Sequence, residues 1–387
     1  MPAKRFGIRT GEPVASALKK CPFLVIEPPA HDLYRKRSAE LMALLHTYTS
    51  DIEQASVDEC YLDYTPIQRQ FASPEAAARL IADRVRDTLG FTVNIGIAPN
   101  KLLAKMASDF EKPDRVHTLY PEEIPEKMWP LPVGELFMVG KSSAERLNGF
   151  GIRTIGDLAH ADPEFLQLHF KSHAKSMWEH ANGLDDTPVN PNHPEAKGIG
   201  NSKTMSEDLE TAQEARHELL QLAEKVAARL RKEHLAAQSV TVEIKYNTFR
   251  SCSRQTQTER PVFTSAMLYD CACQLFDELW DGTPIRLLGV RTTKLTEENV
   301  PVQLTLFDPE FGLTADESVP DGIGEKIRPP VPASVRTESA YVQNPEKQRR
   351  LEAAMDQIRQ KYGKDAVTRG SLMNNRKEKR EQTSGSN

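Results

Sequence analysis

The sequence has no apolar run of membrane-span length, and its opening residues, Met1-Pro2-Ala3-Lys4-Arg5-Phe6, carry no signal-peptide core. It has no cysteine framework either. The five cysteines, Cys21, Cys60, Cys252, Cys271 and Cys273, are odd in number and spaced for neither a disulfide scaffold nor a zinc site. Cys271 and Cys273 stand two apart on an expected helix, so they do not share a face. The chain therefore reads as a cytoplasmic protein with reduced thiols and no membrane partner. A surplus of positive charge is also missing, since the formal net charge is −5. That excludes a nucleic-acid binder that relies on overall charge, but not one with a segregated basic face. Acidic residues crowd Glu207 to Glu233, whereas Lys245, Arg250, Arg254 and Arg260 mark the strand-like stretch that follows.

What is present is ordinary globular material. The 387 residues, 39% hydrophobic and 27% charged, suffice for two to four domains with separate cores, and no internal repeat is visible. Pro28-Pro29 ends the first segment. From His31 to Tyr48 the spacing predicts a helix with Leu33, Leu41, Leu44 and Leu45 near one face. Ile52 to Tyr64 reads as strand with a turn. Pro74 opens a helix whose inner side holds Ala78, Ile81, Ala82, Val85 and Leu89, with Gly90 as its stop. Phe91 to Ala98 alternates with period two and predicts a strand, after which Asn100 caps a helix through Phe110. This order implies an α+β domain. Pro121 to Leu184 reads as helical and loop-rich, and Pro188, Pro191 and Pro194 as an exposed linker. A second α+β unit is expected from Gly198 to Leu295, with a helix over Thr211–His234 and strands over Ser239–Tyr246 and Ile285–Val290. Beyond Pro301 the chain is polar and proline-broken, a composition suited to disorder, with one amphipathic helix near Glu346 to Tyr362.

Chemistry concentrates in Ser56-Val57-Asp58-Glu59-Cys60-Tyr61-Leu62-Asp63. Adjacent carboxylates on a regular strand point to opposite faces, so Asp58 and Glu59 act together only at a turn or hairpin tip. There they suit a magnesium ion, which takes a few carboxylates and completes its shell with phosphate oxygens and water. Taken alone, an Asp-Glu pair is usually just a solvated turn. Downstream stand Asn94-Ile95-Gly96-Ile97-Ala98-Pro99-Asn100-Lys101-Leu102-Leu103-Ala104-Lys105 and then Lys112-Pro113.

These three blocks, in this order, resemble the palm of Y-family translesion DNA polymerases, which shows Ser-(Ile/Val)-Asp-Glu-x-(Tyr/Phe)-Leu-Asp, Gly-Ile-(Ser/Ala)-x-Asn-Lys-x-x-Ala-Lys and Lys-Pro. Ala3 to Pro13 looks like the end of the family's fingers, and the likeness extends to Leu295. The resemblance implies a multidomain α+β architecture. Its expected parts are a fingers remnant (1–29), a palm (30–120), a helix-hairpin-helix thumb (121–187), a linker (188–198), a little finger (199–296) and a tail (297–387). It implies that Asp58 and Glu59 bind Mg2+, with Glu59 also serving the primer 3′-hydroxyl, and that Lys112 and Lys4 contact the incoming triphosphate. The substrates would be primer-template DNA and deoxynucleoside triphosphates. The family also opens with a strand bearing another metal-binding Asp and an aromatic steric gate; neither has a counterpart here, which leads to the expectation of an N-terminally truncated chain with impaired catalysis.

Leu136 to Ile152 resembles a helix-hairpin-helix in which the turn at Gly140, followed by Lys141, offers backbone N–H groups to a DNA phosphate, with the usual Gly-x-Gly read as Gly140-Lys141-Ser142. A plain helical hairpin fits the same residues. In the little finger, Lys203, Lys245, Arg250 and Arg254 are expected to face the DNA backbone and give sequence-independent affinity, the bland reading being a solvated sheet face. Gln303-Leu304-Thr305-Leu306-Phe307 resembles the bacterial sliding-clamp-binding peptide, with Gln303, Leu304, Leu306 and Phe307 as anchors. The terminal Arg376-Lys377-Glu378-Lys379-Arg380 reads as a solvated charge run. Three functions stay open on this sequence: an error-prone translesion polymerase acting as a monomer, a catalytically impaired DNA- and clamp-binding accessory protein, and a helix-hairpin-helix glycosylase or nuclease.

Overall fold

The computed structural model describes residues 2–192, 196–297, 345–363 and 366–370. The chain divides into two compact units, Met1–Pro194 and Glu195–Asn387. Among the described residues no helix is long and apolar enough to cross a membrane.

The first unit opens with a 3-10 turn (Pro2–Phe6) and α1 (Val14–Lys20). It continues through α2 (His31–Leu45), β1 (Ile52–Gln54), β2 (Cys60–Leu62), α3 (Pro74–Leu89), β3 (Ile95–Ile97), α4 (Lys101–Asp109) and β4 (Val116–Thr118). β1 and β2 pair antiparallel with Ile52 opposite Leu62, and β3 and β4 pair parallel with Ile95 opposite Val116. Leu41, Leu44 and Leu45 of α2 and Ile81 and Val85 of α3 bury Ile52 between them. Leu33 is half exposed because it sits in the first turn of α2, before the buried stripe begins. The ends of α3 follow from local chemistry: the Ser73 hydroxyl accepts from the Ala76 N–H, Pro74 starts the first turn, and Gly90 stops the helix in the left-handed region.

The strand expected over Phe91–Ala98 contracts to Ile95–Ile97. Its centre, Gly96, lies against α4 so closely that a Cβ there would fall 1.9 Å from the Ala104 carbonyl oxygen. α4 is held at its start by the Asn100 side chain, which accepts from the Leu103 N–H at 2.9 Å, and by Asp185, which accepts from the Leu102 N–H at 3.1 Å. Its buried residues Leu102, Leu103, Met106 and Ala107 belong to the core of the helical segment that follows. That segment comprises α5 (Ile124–Lys127), α6 (Lys141–Gly149), α7 (Ile155–Ala159), α8 (Pro163–Phe170) and α9 (Ser172–Ala181).

The turn into α6 differs from the sequence reading. Gly140 is the N-cap with an extended backbone (φ −76), and no side chain caps the helix start. The left-handed position is Met138, at φ +72. The glycine-demanding site of the turn therefore precedes Gly140 rather than following it, and a methionine occupies it.

The second unit contains β5 (Gly198–Leu209), α10 (Ala212–Lys232), β6 (Leu235–Tyr246), β7 (Ser251–Val262), α11 (Ser265–Leu279) and β8 (Ile285–Glu297), with strand order β5-β8-β6-β7 and every pairing antiparallel. α10 and α11 cover one face, where Leu219, Leu222, Val226, Val240, Val242, Ile244 and Phe276 are buried together. α12 (Pro345–Tyr362) packs on this unit through ions. Glu352, only 3% exposed, accepts from the Ser265 N–H at 3.1 Å and from Arg369 at 2.7 Å, and pairs with Arg231. Arg231 also reaches Asp356, while Arg359 and Arg369 pair with Glu224. The helix foreseen near Glu346 to Tyr362 is thus attached to the fold by a buried charge network. Gln303, Leu304, Leu306, Phe307 and the run Arg376–Arg380 lie outside the described residues.

Met138 is 75% exposed, so its side chain gains little burial to offset a left-handed backbone. Replacing it with glycine removes roughly 1–2 kcal/mol of steric strain against a smaller gain in unfolded-state entropy. Met138→Gly is therefore expected to raise stability, by roughly 0.5–1 kcal/mol in urea denaturation; a loss of stability would contradict this view of the turn.

Candidate active site

The β1–β2 hairpin turns over residues 55–59, where the N–H groups of Ala55 and Ser56 both donate to the Glu59 carbonyl, at 3.0 and 3.1 Å. The Ser56 hydroxyl donates to the Asp58 carboxylate at 2.8 Å. Because Asp58 sits in the turn rather than on a strand, the alternation that would separate it from Glu59 does not apply, and both carboxylates are exposed at the tip. Burial pushes the neighbouring Cys60 thiol up to about 11, which favours the protonated, unreactive form at neutral pH.

A line of alternating charges runs from this tip. Lys105 on α4 donates to Glu59 at 2.6 Å and pairs with Asp109 at 3.0 Å; the other Asp109 oxygen lies 2.7 Å from Lys112. Burial works against the charge on Lys105, but its hydrogen bonds to Glu59 and Asp109 outweigh that and hold its pKa above the ordinary lysine value. Burial likewise opposes the Asp109 carboxylate, and the two lysines still hold its pKa below the usual range. The signs fix the window. The Asp109 contribution is complete above the ordinary carboxylate pKa and is lost as pH falls through the lower folded value. The Lys105 contribution is complete below the ordinary lysine pKa and is lost as pH rises through the higher folded value. The line is intact across neutral pH.

A second pair flanks it. Lys101, one turn before Lys105 on α4, donates to Glu53 at 2.8 Å and lies over the Tyr61 ring at 5.4 Å. Glu53 also accepts from the Asn190 N–H at 2.8 Å. Burial raises the pKa of Glu53, yet these two bonds prevail and keep it low. Lys101, Lys105 and Asp109 carry the organisation of the site and were not singled out from the sequence. The Asn-Lys-x-x-x-Lys spacing in a capped helix was the available signal, since it puts both lysines on one face.

Of the residues foreseen as a site, Glu59 and Lys112 are joined through Lys105 and Asp109, while Asp58, next to Glu59 in the turn, is held by the Ser56 hydroxyl. Lys4 is not tied to them by any hydrogen bond or ion pair among the described residues; it lines a shallow cleft of about 360 Å³ with Gly7, Ile8, Arg9 and Thr10. Among the described residues no group of three or more acidic, histidine or cysteine side chains gathers to enclose a metal. Two adjacent exposed carboxylates still fit a hard divalent cation that shares its shell with water and phosphate.

In the second unit the register sorts the basic residues by face. Arg254 is opposite Val242, and Lys203 is opposite Leu288, both of which are buried on the helix side. Arg254 pairs with Glu278 of α11, and Lys203 with Glu218 of α10. The expectation that these two share an open face with Lys245 is corrected by this pairing. Arg250, in the β6–β7 turn, pairs with Asp281 and lies over the Tyr246 ring. Lys245 alternates onto the open face, opposite Leu287 and Ser251. Arg291, opposite Thr241 and Gly200, joins it there and was missed in the sequence. Its stem lies over Gly200, where a Cβ would come within 3.1 Å of the Arg291 Cβ. Gly140 and Lys141 stand at the uncapped start of α6, with the Lys141 side chain 91% exposed.

Comparison with known proteins matches this arrangement to one family. The impB/mucB/samB family profile covers residues 1–109, its C-terminal domain profile covers residues 196–306, and the IMS family HHH motif covers residues 121–152. The DNA polymerase IV of Clostridium acetobutylicum is 40% identical over 372 residues, spanning 96% of this chain and 85% of that protein. That of Bacillus anthracis is 33% identical over 379 residues, spanning 97% and 84%. Among solved structures, a Y-family DNA polymerase chimera of Dbh and Dpo4 aligns with a TM-score of 0.66 at 24% identity, covering 76% of this chain and 85% of that one. An insertion ternary complex of Dbh DNA polymerase aligns with a TM-score of 0.51 at the same identity and coverage. The chain thus belongs to the Y-family DNA polymerases.

Proposed function

We propose that this chain catalyses template-directed nucleotidyl transfer past damaged DNA with low fidelity, and that Asp58 and Glu59 hold Mg2+ for the reaction. The observation that carries the reading is the charge line from the hairpin tip to Lys112, which sets acidic oxygens beside a lysine suited to phosphate. The cation would neutralise triphosphate charge and ease ionisation of the primer 3′-hydroxyl. Around it the chain's own residues bind and orient. Lys112 supplies a point charge to the triphosphate, with Lys4 as its proposed partner from the fingers segment. Glu59 accepts from or orients the 3′-hydroxyl. Residues 30–120 serve as the palm and residues 121–187 as the thumb, whose Gly140 and Lys141 hold a DNA phosphate at the open start of α6. Residues 199–296 act as the little finger, with Lys245 and Arg291 on its open face and Arg250 at its turn. Gln303, Leu304, Leu306 and Phe307 are proposed to engage the bacterial sliding clamp, and the enzyme to work as a cytoplasmic monomer.

A second reading, a DNA- and clamp-binding accessory protein, is favoured by one feature. Among the described residues, no third acidic group joins Asp58 and Glu59. Glu59→Ala separates the two readings. The polymerase reading expects single-nucleotide incorporation to fall at least about a hundredfold while DNA affinity stays near wild type. A wild type and a variant equally unable to incorporate, with DNA binding intact, favour the accessory protein.

Two further outcomes follow. Lys245→Ala and Arg291→Ala should each weaken DNA binding uniformly across sequences and reduce the salt slope by about one. Lys203→Ala, which removes a partner of Glu218, should leave that slope unchanged, and equal losses from all three would refute the open-face assignment. Leu306→Ala with Phe307→Ala should abolish capture by immobilised sliding clamp, and undiminished capture would refute the peptide.

A further inference from the structure

We propose that Lys105 is a positioning residue that competes with the divalent cation for Glu59 and, through Asp109, links cation binding to the release of Lys112 for the triphosphate. This rests on the reading of Asp58 and Glu59 as the cation site. In the cation-free chain the tip holds two adjacent carboxylates, and the Lys105 ammonium pairs with one of them, Glu59, at 2.6 Å. Lys105 is held firmly. Its side chain is only 14% exposed, and Asp109, one turn along α4, grips it from the far side at 3.0 Å. A dication on Glu59 repels an ammonium that touches the same carboxylate and draws off its negative charge, so each weakens the other's hold on Glu59. Asp109 is the acceptor that remains for the displaced ammonium.

Asp109 divides its two oxygens, one to Lys105 and one to Lys112. When Lys105 gives up Glu59, its full charge falls to Asp109, and Lys112 faces a carboxylate already satisfied. Lys112 is the more exposed of the two lysines, with 42% of its side chain accessible against 14%, so it is the one free to leave toward a phosphate. The arrangement prevents Lys112 from being fully available before the cation is in place. It orders the two binding events without any movement of the backbone.

The test is Mn2+ binding to the full chain without DNA or nucleotide, measured by electron paramagnetic resonance of the free ion, with circular dichroism melts to establish folding. Lys105→Met should tighten binding by about three- to tenfold, the size of a partly exposed ion pair of about 1 kcal/mol. Lys105→Arg, which keeps the charge, should stay near wild type, and Glu59→Gln should weaken binding. In the same samples, affinity for a fluorescent deoxynucleoside triphosphate should depend less on Mn2+ in Asp109→Asn than in wild type. Weakening by Glu59→Gln with no tightening by Lys105→Met would overturn the competition while leaving the cation site standing. Mn2+ binding that neither substitution changes would overturn the cation site, and the competition with it.

Discussion

Two carboxylates side by side in sequence diverge on a strand and repel in a turn, so a chain that brings them together must supply both a tip and a counter-charge. Here the β1–β2 hairpin supplies the tip and α4 supplies the charge. Much else depends on that juxtaposition. α4 must lie across the hairpin for Lys101 and Lys105 to reach Glu53 and Glu59, and it lies there because Gly96 of β3 lets the helix approach within contact of bare backbone. The start of the helix is fixed by Asn100 and Asp185, the latter arriving from beyond the helical segment. Acidic groups, lysines and the backbone that spaces them are thus one structural object.

The same helix faces two ways. Its polar side carries the ion pairs, while Leu102, Leu103, Met106 and Ala107 are buried with Met128, Leu136, Leu147 and Ile155 of the helical segment. A helix shared in this manner ties the site to the helical segment that contains α6. In the second unit, strand register does the corresponding work. It divides basic residues between a helix side, where they pair with α10 and α11, and an open side, which carries Lys245 and Arg291.

Local features were legible in the sequence. Ser73-Pro74 and Gly90 bound a helix, Asn100 caps another, and the adjacency of Asp58 and Glu59 required a turn, all from interactions within four residues. What stayed illegible depends on distant partners. Lys105 finds Glu59 across 46 residues, and Arg231 finds Glu352 across 121, so neither the charge line nor the anchoring of α12 could be read from spacing. The face of Arg254 follows from its pairing with Val242, which a strand period alone does not specify because a one-residue slip reverses it. The frame of the α6 turn was misread because its left-handed position holds Met138, where sequence rules look for glycine.

The most direct test of the central claim is primer extension by the 387-residue chain, with Mg2+ and all four deoxynucleoside triphosphates, on undamaged and abasic templates. The account predicts magnesium-dependent extension on both, with insertion opposite the abasic site. DNA binding without extension on either template would contradict it, leaving a protein that holds DNA and performs no transfer.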